Sequence, residues 1–292
     1  MSGLKLKILT PQLQQGQSPR AGFGTERVWH TQTWKVGVHK TDLHRMFRCK
    51  DPAFGKILRC LRTAKPTMTG GRGGVSIADI MNHRRAWRGN NPKLADVRRI
   101  LRQHPDTTFL AIKRSSANYL DDLCLQSKFP RREPLAVITA DMESNPENYW
   151  EDGTLKDPRL LKGTQLPLHE TMQVYFTRNV DKSRDIVNGM RGEVKAWDAS
   201  VNAVQVLTKT GHLVWVYPWT DTELGNRTYF PMKAGYATTI LKVTGAELPH
   251  VTLWLDRPKT PGAAYTGMSR LAYGRDLLIG GNVTRDHFMP AL

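Results

Sequence analysis

The sequence predicts an α/β fold with a mostly parallel sheet, and three observations predict it. Short apolar runs that read as buried strands recur at 107–112 (TTFLAI), 236–241, 251–255 and 277–279. Helix patterns fall between them, at 116–128 with Leu120, Leu123 and Cys124 inward, and at 262–270. Between the two halves of that pattern lies a block of β-type segments, 172–177, 192–197, 203–207 and 213–216, separated by turn residues such as Asn188-Gly189 and Thr210-Gly211. Strand, helix and strand in alternation argue for a parallel sheet, and the block argues for a small all-β module set into it.

The other elements follow in chain order. Residues 10–25 are rich in Gln, Gly and Pro and read as loop. A helix is predicted over 51–62, where Phe54, Ile57, Leu58 and Leu61 share one face. The stretch 66–74 (PTMTGGRGG) breaks it, and a second amphipathic helix is predicted over 93–103, with Leu94, Val97, Ile100 and Leu101 on one side. Residues 135–139 form a short apolar strand. The polar stretch 141–168, with five prolines and glycines, reads as an excursion loop.

Composition narrows the function classes. The 292 residues are 39% apolar with eight each of Trp, Tyr and Phe, enough for a folded core. No stretch approaches the ~18 apolar residues of a membrane span. Cys49, Cys60 and Cys124 are an odd, scattered set, which points away from a disulfide scaffold and a cysteine-rich zinc site. The histidines are scattered too, and no metal site is expected. The net charge of +17 is concentrated: residues 1–100 hold 20 Lys/Arg against 5 Asp/Glu, and residues 101–292 hold 23 against 21. Such a surplus points to a polyanion partner, above all nucleic acid. The first 25 residues lack acids but also lack an apolar signal core, so an intracellular, DNA-containing compartment such as the nucleus is expected rather than secretion.

Three segments carry a specific resemblance. Thr41–Arg62 (TDLHRMFRCKDPAFGKILRCLR), Asn179–Val194 (NVDKSRDIVNGMRGEV) and the pair YATTILKVTGAELPHVTLWLD and PGAAYTGMSRLAYGRDLLIGG within 236–281 occur in that order. Together they resemble the Pif/RecD branch of superfamily-one DNA helicases, in which these stretches are motif IV, the entry to a small inserted β-barrel, and motifs V and VI. The resemblance implies a RecA-like (P-loop NTPase-type) second motor domain over 105–292, with the barrel inserted at about 189–232. Residues 1–66 would be a basic end of the first RecA-like domain, and 67–104 a basic linker with a short helix.

The same resemblance implies residue roles. Arg48 and Arg270 match arginines that reach the γ-phosphate of ATP, a charge-stabilising task suited to a planar, permanently charged guanidinium. Arg270 also reads as a helix dipole partner on its position alone. Thr238, Thr239 and Lys242 match groups that contact DNA phosphates. Glu247 falls near the nucleotide ribose, and Gly245 where the strand bends into a loop. Trp215, Tyr217 and Trp219 suit either base stacking or the core.

The sequence also departs from the family. Leu241 stands where the family has histidine and Thr244 where it has glutamine. No G-x-x-x-x-G-K-[ST] loop and no Asp-Glu after an apolar strand occur in the 292 residues. The expectation is therefore the back half of a helicase, inactive alone, binding single-stranded DNA. It would use ATP and magnesium only with a separate P-loop half. The alternatives are a non-catalytic DNA-binding relic of a helicase, from a mobile element, and an RNA-binding interaction module.

Overall fold

The computed structural model describes Val36 and residues 46–68, 74–151 and 153–290. The chain divides into units 1–45 and 46–292, and the architecture below is that of the second. The loop predicted over 10–25, the start of the first helicase-like segment (41–45) and residues 70–73 of the glycine cluster lie outside the described residues.

The predicted helices form where an apolar stripe meets a cap. Helix α1 (Pro52–Thr63) starts at Asp51, whose side chain accepts from the Phe54 amide, and it buries Phe54, Ile57, Leu58 and Leu61. Helix α2 (Ile77–Met81) opens on a Ser76–Asp79 capping box. Helix α3 (Leu94–Gln103) buries Val97, Ile100 and Leu101. Strand β1 (Thr107–Ala111) is buried throughout and feeds helix α4 (Arg114–Lys128).

The chain then leaves the sheet through β2 (Ala136–Ala140), β3 (Thr164–Leu168), β4 (Gln173–Phe176), β5 (Arg191–Asp198), β6 (Ala203–Thr208), β7 (Leu213–Val216), β8 (Trp219–Asp221), β9 (Arg227–Tyr229) and β10 (Met232–Ala234). It returns through β11 (Ala237–Thr239), β12 (His250–Trp254), helix α5 (Ala263–Met268) and β13 (Leu277–Gly280).

The central sheet is parallel, in the order β11-β1-β12-β13. Alternate residues of its strands enter two cores: Phe109 and Ala111 join α4 and the antiparallel excursion, while Leu110, Leu253 and Ile279 join α1 and α5. The outer edge of β13 is covered, since Ala86 N–H donates to Ile279 O (2.8 Å) and Ile279 N–H to Arg84 O (2.6 Å). Gly280 sits under that cover, where a Cβ would lie 2.1 Å from the Trp87 ring.

One expectation changes, and the strands of the expected barrel pair as follows. The strand at 135–139 pairs antiparallel with β3, so the stretch predicted as loop over 141–168 ends in a strand. Its alternation explains the pairing: Val137 is exposed while Ile138 and Ala140 are buried. The β-barrel expected at about 189–232 is an antiparallel sheet, β10-β4-β5-β6-β7, that begins at Gln173. Among the described residues no ladder joins β10 to β7, and β8–β9 form a separate hairpin. Val194, Val204, Val206, Val214 and Val216 belong to the same buried core as Phe109 and Leu120. Helices α1 and α3, which flank the boundary expected at residue 66, contribute to the two cores of this unit.

Candidate functional site

Residues from three distant segments meet beside helix α5. Asp51 anchors the first segment twice, capping α1 and accepting from the Gly274 amide (3.2 Å). The Phe54 amide is the main cause that holds the Asp51 carboxyl below its ordinary range. Lys50 N–H donates to Ala272 O (2.9 Å). Arg48 is thereby fixed with Nη1 donating to Ser269 O and Nη2 to Gly245 O, both at 2.9 Å, and Nε lies 3.8 Å from Glu247 Oε2. Gly245 has φ +91°, a left-handed conformation that suits glycine, and it turns the chain out of the short helical turn Ile240–Val243.

Arg270 lies against the same loop and is only 8% exposed. Its Nε donates to Thr266 O (2.9 Å), Nη2 to Ser269 Oγ (2.7 Å), and Nη1 to Val243 O (3.4 Å) and Ala246 O (3.5 Å). Desolvation, and after it the Arg48 charge, lower the guanidinium pKa. The predicted group Arg48, Gly245, Glu247 and Arg270 is thus one cluster. Only Arg48 faces the largely exposed carboxylate of Glu247, Arg270 is held by carbonyls and Ser269 Oγ, and partial desolvation strengthens the attraction of such a paired-guanidinium site for an anion. Arg270 also performs the helix-end role, since Thr266 O is one of the last carbonyls of α5.

The predicted phosphate-contacting residues separate. Thr238 (2% exposed) and Thr239 (9%) are buried in β11 opposite Leu110 and Ala111, and Thr238 Oγ1 has no partner among the described residues. The Thr238 hydroxyl is shut off from solvent in this structure. Lys242 is exposed, with Nζ 5.4 Å from the centre of the Tyr175 ring. Lys233 Nζ lies 5.9 Å from the same ring, so two ammonium groups share one aromatic. Behind them Arg191, mostly desolvated, donates to Thr108 Oγ1 (2.8 Å) and joins the antiparallel sheet to β1. Lys233, Tyr175 and Arg191 were not singled out from the sequence. They come from β10, β4 and β5, and only the strand pairing brings them to Lys242.

A fourth residue that the sequence reading passed over is Asp256. The crevice beyond the carboxyl ends of parallel strands is where α/β sheets bind ligands. Here Asp256 occupies it: Oδ1 accepts from Ile112 N (2.7 Å), and Oδ2 accepts from Lys113 N (3.2 Å) and Ser116 Oγ (2.6 Å). The start of α4 therefore binds the chain's own carboxylate. Among the described residues no group of three or more metal-ligating side chains occurs, and no helix is long and apolar enough to cross a membrane.

A parallel sheet between two cores, with an antiparallel excursion returning to its edge strand, defines an α/β fold of RecA-like type. No family profile matches the chain. It is 36% identical over 165 residues to the ATP-dependent DNA helicase Pif1 of Bdellovibrio bacteriovorus, covering 54% of this chain and 36% of that protein. It is 30% identical over 139 residues to the ATP-dependent DNA helicase PIF1 of Xenopus laevis, covering 42% and 22%. Among solved structures, Pif1 helicase from Candida albicans matches with a TM-score of 0.59 at 20% identity, over 90% of this chain and 61% of that one. Bacteroides Pif1 bound to ssDNA matches with 0.56 at 16%, over 84% and 53%. The chain is thus similar, over part of its length, to Pif1-type superfamily-one helicases, the branch its three segments resemble. The matched regions span about a third or less of these curated relatives.

Proposed function

We propose that the chain is the second motor domain of an ATP-dependent DNA helicase, gripping single-stranded DNA and presenting Arg48 and Arg270 to ATP held on a P-loop half. The convergence of Arg48, Gly245, Glu247 and Arg270 from three helicase-like segments carries this reading. The cluster fits the phosphate end of a nucleotide, because it gathers two permanent cations with one carboxylate. It does not supply a phosphate-cradling loop or a magnesium site, and Asp256 fills the anion position of this sheet. The reading therefore needs a partner half for nucleotide and metal. Within it, Arg48 and Arg270 stabilise negative charge, Glu247 orients Arg48, and Lys242 with Lys233 binds DNA phosphates beside Tyr175. The strands expected as a barrel serve as the domain's inserted module.

The test is to mix the chain with the P-loop half of the Bdellovibrio relative and measure DNA-stimulated ATP hydrolysis. Hydrolysis that Arg270→Ala abolishes, in a variant that stays folded, supports the reading. No hydrolysis with retained single-strand binding favours the second reading, a non-catalytic DNA binder. The enclosure of Arg270 by carbonyls and the 81% exposed Leu241 in the histidine position support that alternative.

A further inference from the structure

A cleft at the far edge of the parallel sheet gathers cations that the site above does not use. Its floor is Ala86 and Trp87, both buried, in the segment that covers β13. Its walls carry Arg85, Arg88, Lys93 and Arg99 against one carboxylate, Asp96. Asp96 is engaged locally, accepting from Lys93 N–H (3.0 Å) and lying 3.9 Å from Arg99. Among the described residues the side chains of Arg85, Arg88 and Lys93 have no acidic partner and are exposed. Arg98 and Arg102, one turn apart on α3 and also exposed, extend the basic face beyond the cleft.

The cleft is held in shape. Ala86 pairs with Ile279, Arg84 Nε donates to Gly274 O (2.9 Å), Gly89 N–H donates to Asn282 Oδ1 (3.2 Å), and Arg99 donates to Ala86 O. These bonds order the backbone that carries the cations before an anion arrives. Surfaces for single strands pair cations with exposed aromatics on which unstacked bases lie. The one aromatic that lines this cleft, Trp87, is 2% exposed and packs edge-on against Trp254. The face offers charge without a stacking platform, which matches a backbone whose bases remain paired.

We infer that this cleft, extended along α3, binds the phosphodiester backbone of duplex nucleic acid, separately from the Lys242 site. The experiment is a salt titration of binding to a short labelled duplex and to the matching single strand, using the full chain. The variant R85A/R88A/K93A is expected to bind duplex roughly tenfold or more weakly at moderate salt. Its log–log salt slope becomes shallower by about 0.9 for each phosphate no longer neutralised. Its single-strand affinity and its thermal unfolding stay as in the parent chain. R85K/R88K/K93R is expected to retain duplex binding, since point charges suffice at a phosphate. Parental duplex affinity in the alanine variant overturns the inference, as does an equal loss for single strand and duplex. Competition by poly-glutamate as strong as by duplex also overturns it, because the face would then suit an acidic protein. K242A, which tests the other site, is expected to lower single-strand binding alone.

Discussion

Arg48 donates to the carbonyl oxygen of Ser269, 221 positions further along the chain and immediately before Arg270. One side chain thereby ties the start of the unit to the end of α5, and through Gly245 O to the loop that follows β11. Arg48→Ala leaves two carbonyls without their donor. A loss of about 1–3 kcal/mol in denaturant unfolding is expected. Hydrogen exchange should rise over 243–248 and 268–272. Arg48→Lys should recover little, because an ammonium cannot span both carbonyls from one plane. Parental exchange rates in Arg48→Ala would remove Arg48 as the tie.

That arrangement was legible in part. The stretches that resemble motifs IV, V and VI pointed to Arg48, Gly245, Glu247 and Arg270, and these meet. The helices and parallel strands were legible because each carries a continuous apolar stripe or run, as Phe54–Leu61 and Thr107–Ala111 do. The β2–β3 pair was not, since its second strand is short, opens on Thr164 and Gln165 and contains Pro167. The place of β10 beside β4 was hidden as well, because alternation within a strand shows which face is buried and not which strand pairs beside it. Lys233 and Asp256 reach their places through pairings distant in sequence, as Asp256 with Ile112, 144 residues away, shows, and no local spacing marks them.

His250 and Asp121 make opposing contributions to pH dependence. His250 is stacked on His104 at 3.9 Å and bonded to Thr107 Oγ1 (2.7 Å), and desolvation pushes its pKa down to about 4. The unfolded chain therefore binds the extra proton first, and stability falls as pH drops from about 6.5 toward 4, by at most roughly 1.4 kcal/mol per pH unit. Asp121 accepts from Tyr236 N–H (3.0 Å) and Ala237 N–H (2.7 Å), and desolvation raises its pKa to about 7. There the folded chain holds the proton, so stability falls as pH rises from about 4 to about 7. In the parent chain the two slopes offset each other between about pH 4.5 and 6.5. Asp121→Asn should expose a stability that rises with pH across that window, and His250→Asn one that falls, both read from urea midpoints. Parallel profiles for the three proteins would contradict both assignments.

Gly280→Ala tests the cover over β13. The added methyl would stand 2.1 Å from Trp87 Cζ2, inside a ring that is itself buried. The Trp87 ring must move, at a cost of about 1–3 kcal/mol for overpacking. Trp87 fluorescence should shift as its surroundings open, and the variant should melt lower. Gly245→Ala, by contrast, meets no neighbouring atom and strains only the φ of +91°. Its stability loss should be smaller, on the order of 1 kcal/mol.

Lys242 and Lys233 flank one Tyr175 ring, and their mutual repulsion is part of what lowers the Lys242 pKa, after desolvation. A phosphate placed between them would relieve that repulsion, so the pair should act together in binding a single strand. Lys242→Ala and Lys233→Ala are each expected to weaken single-strand affinity several-fold, with the salt slope shallower by about 0.7 for each phosphate no longer neutralised. Because relief of the repulsion needs both lysines, each single variant already forfeits it, and the double variant should lose less than the sum of the two single losses. Tyr175 is itself buried, so Tyr175→Leu separates the ring from the charges: affinity changes little while the salt slope keeps its value. Additive losses in the double variant would mean that the two lysines contact separate phosphates, and an unchanged affinity in Lys242→Ala would remove this loop from the DNA path.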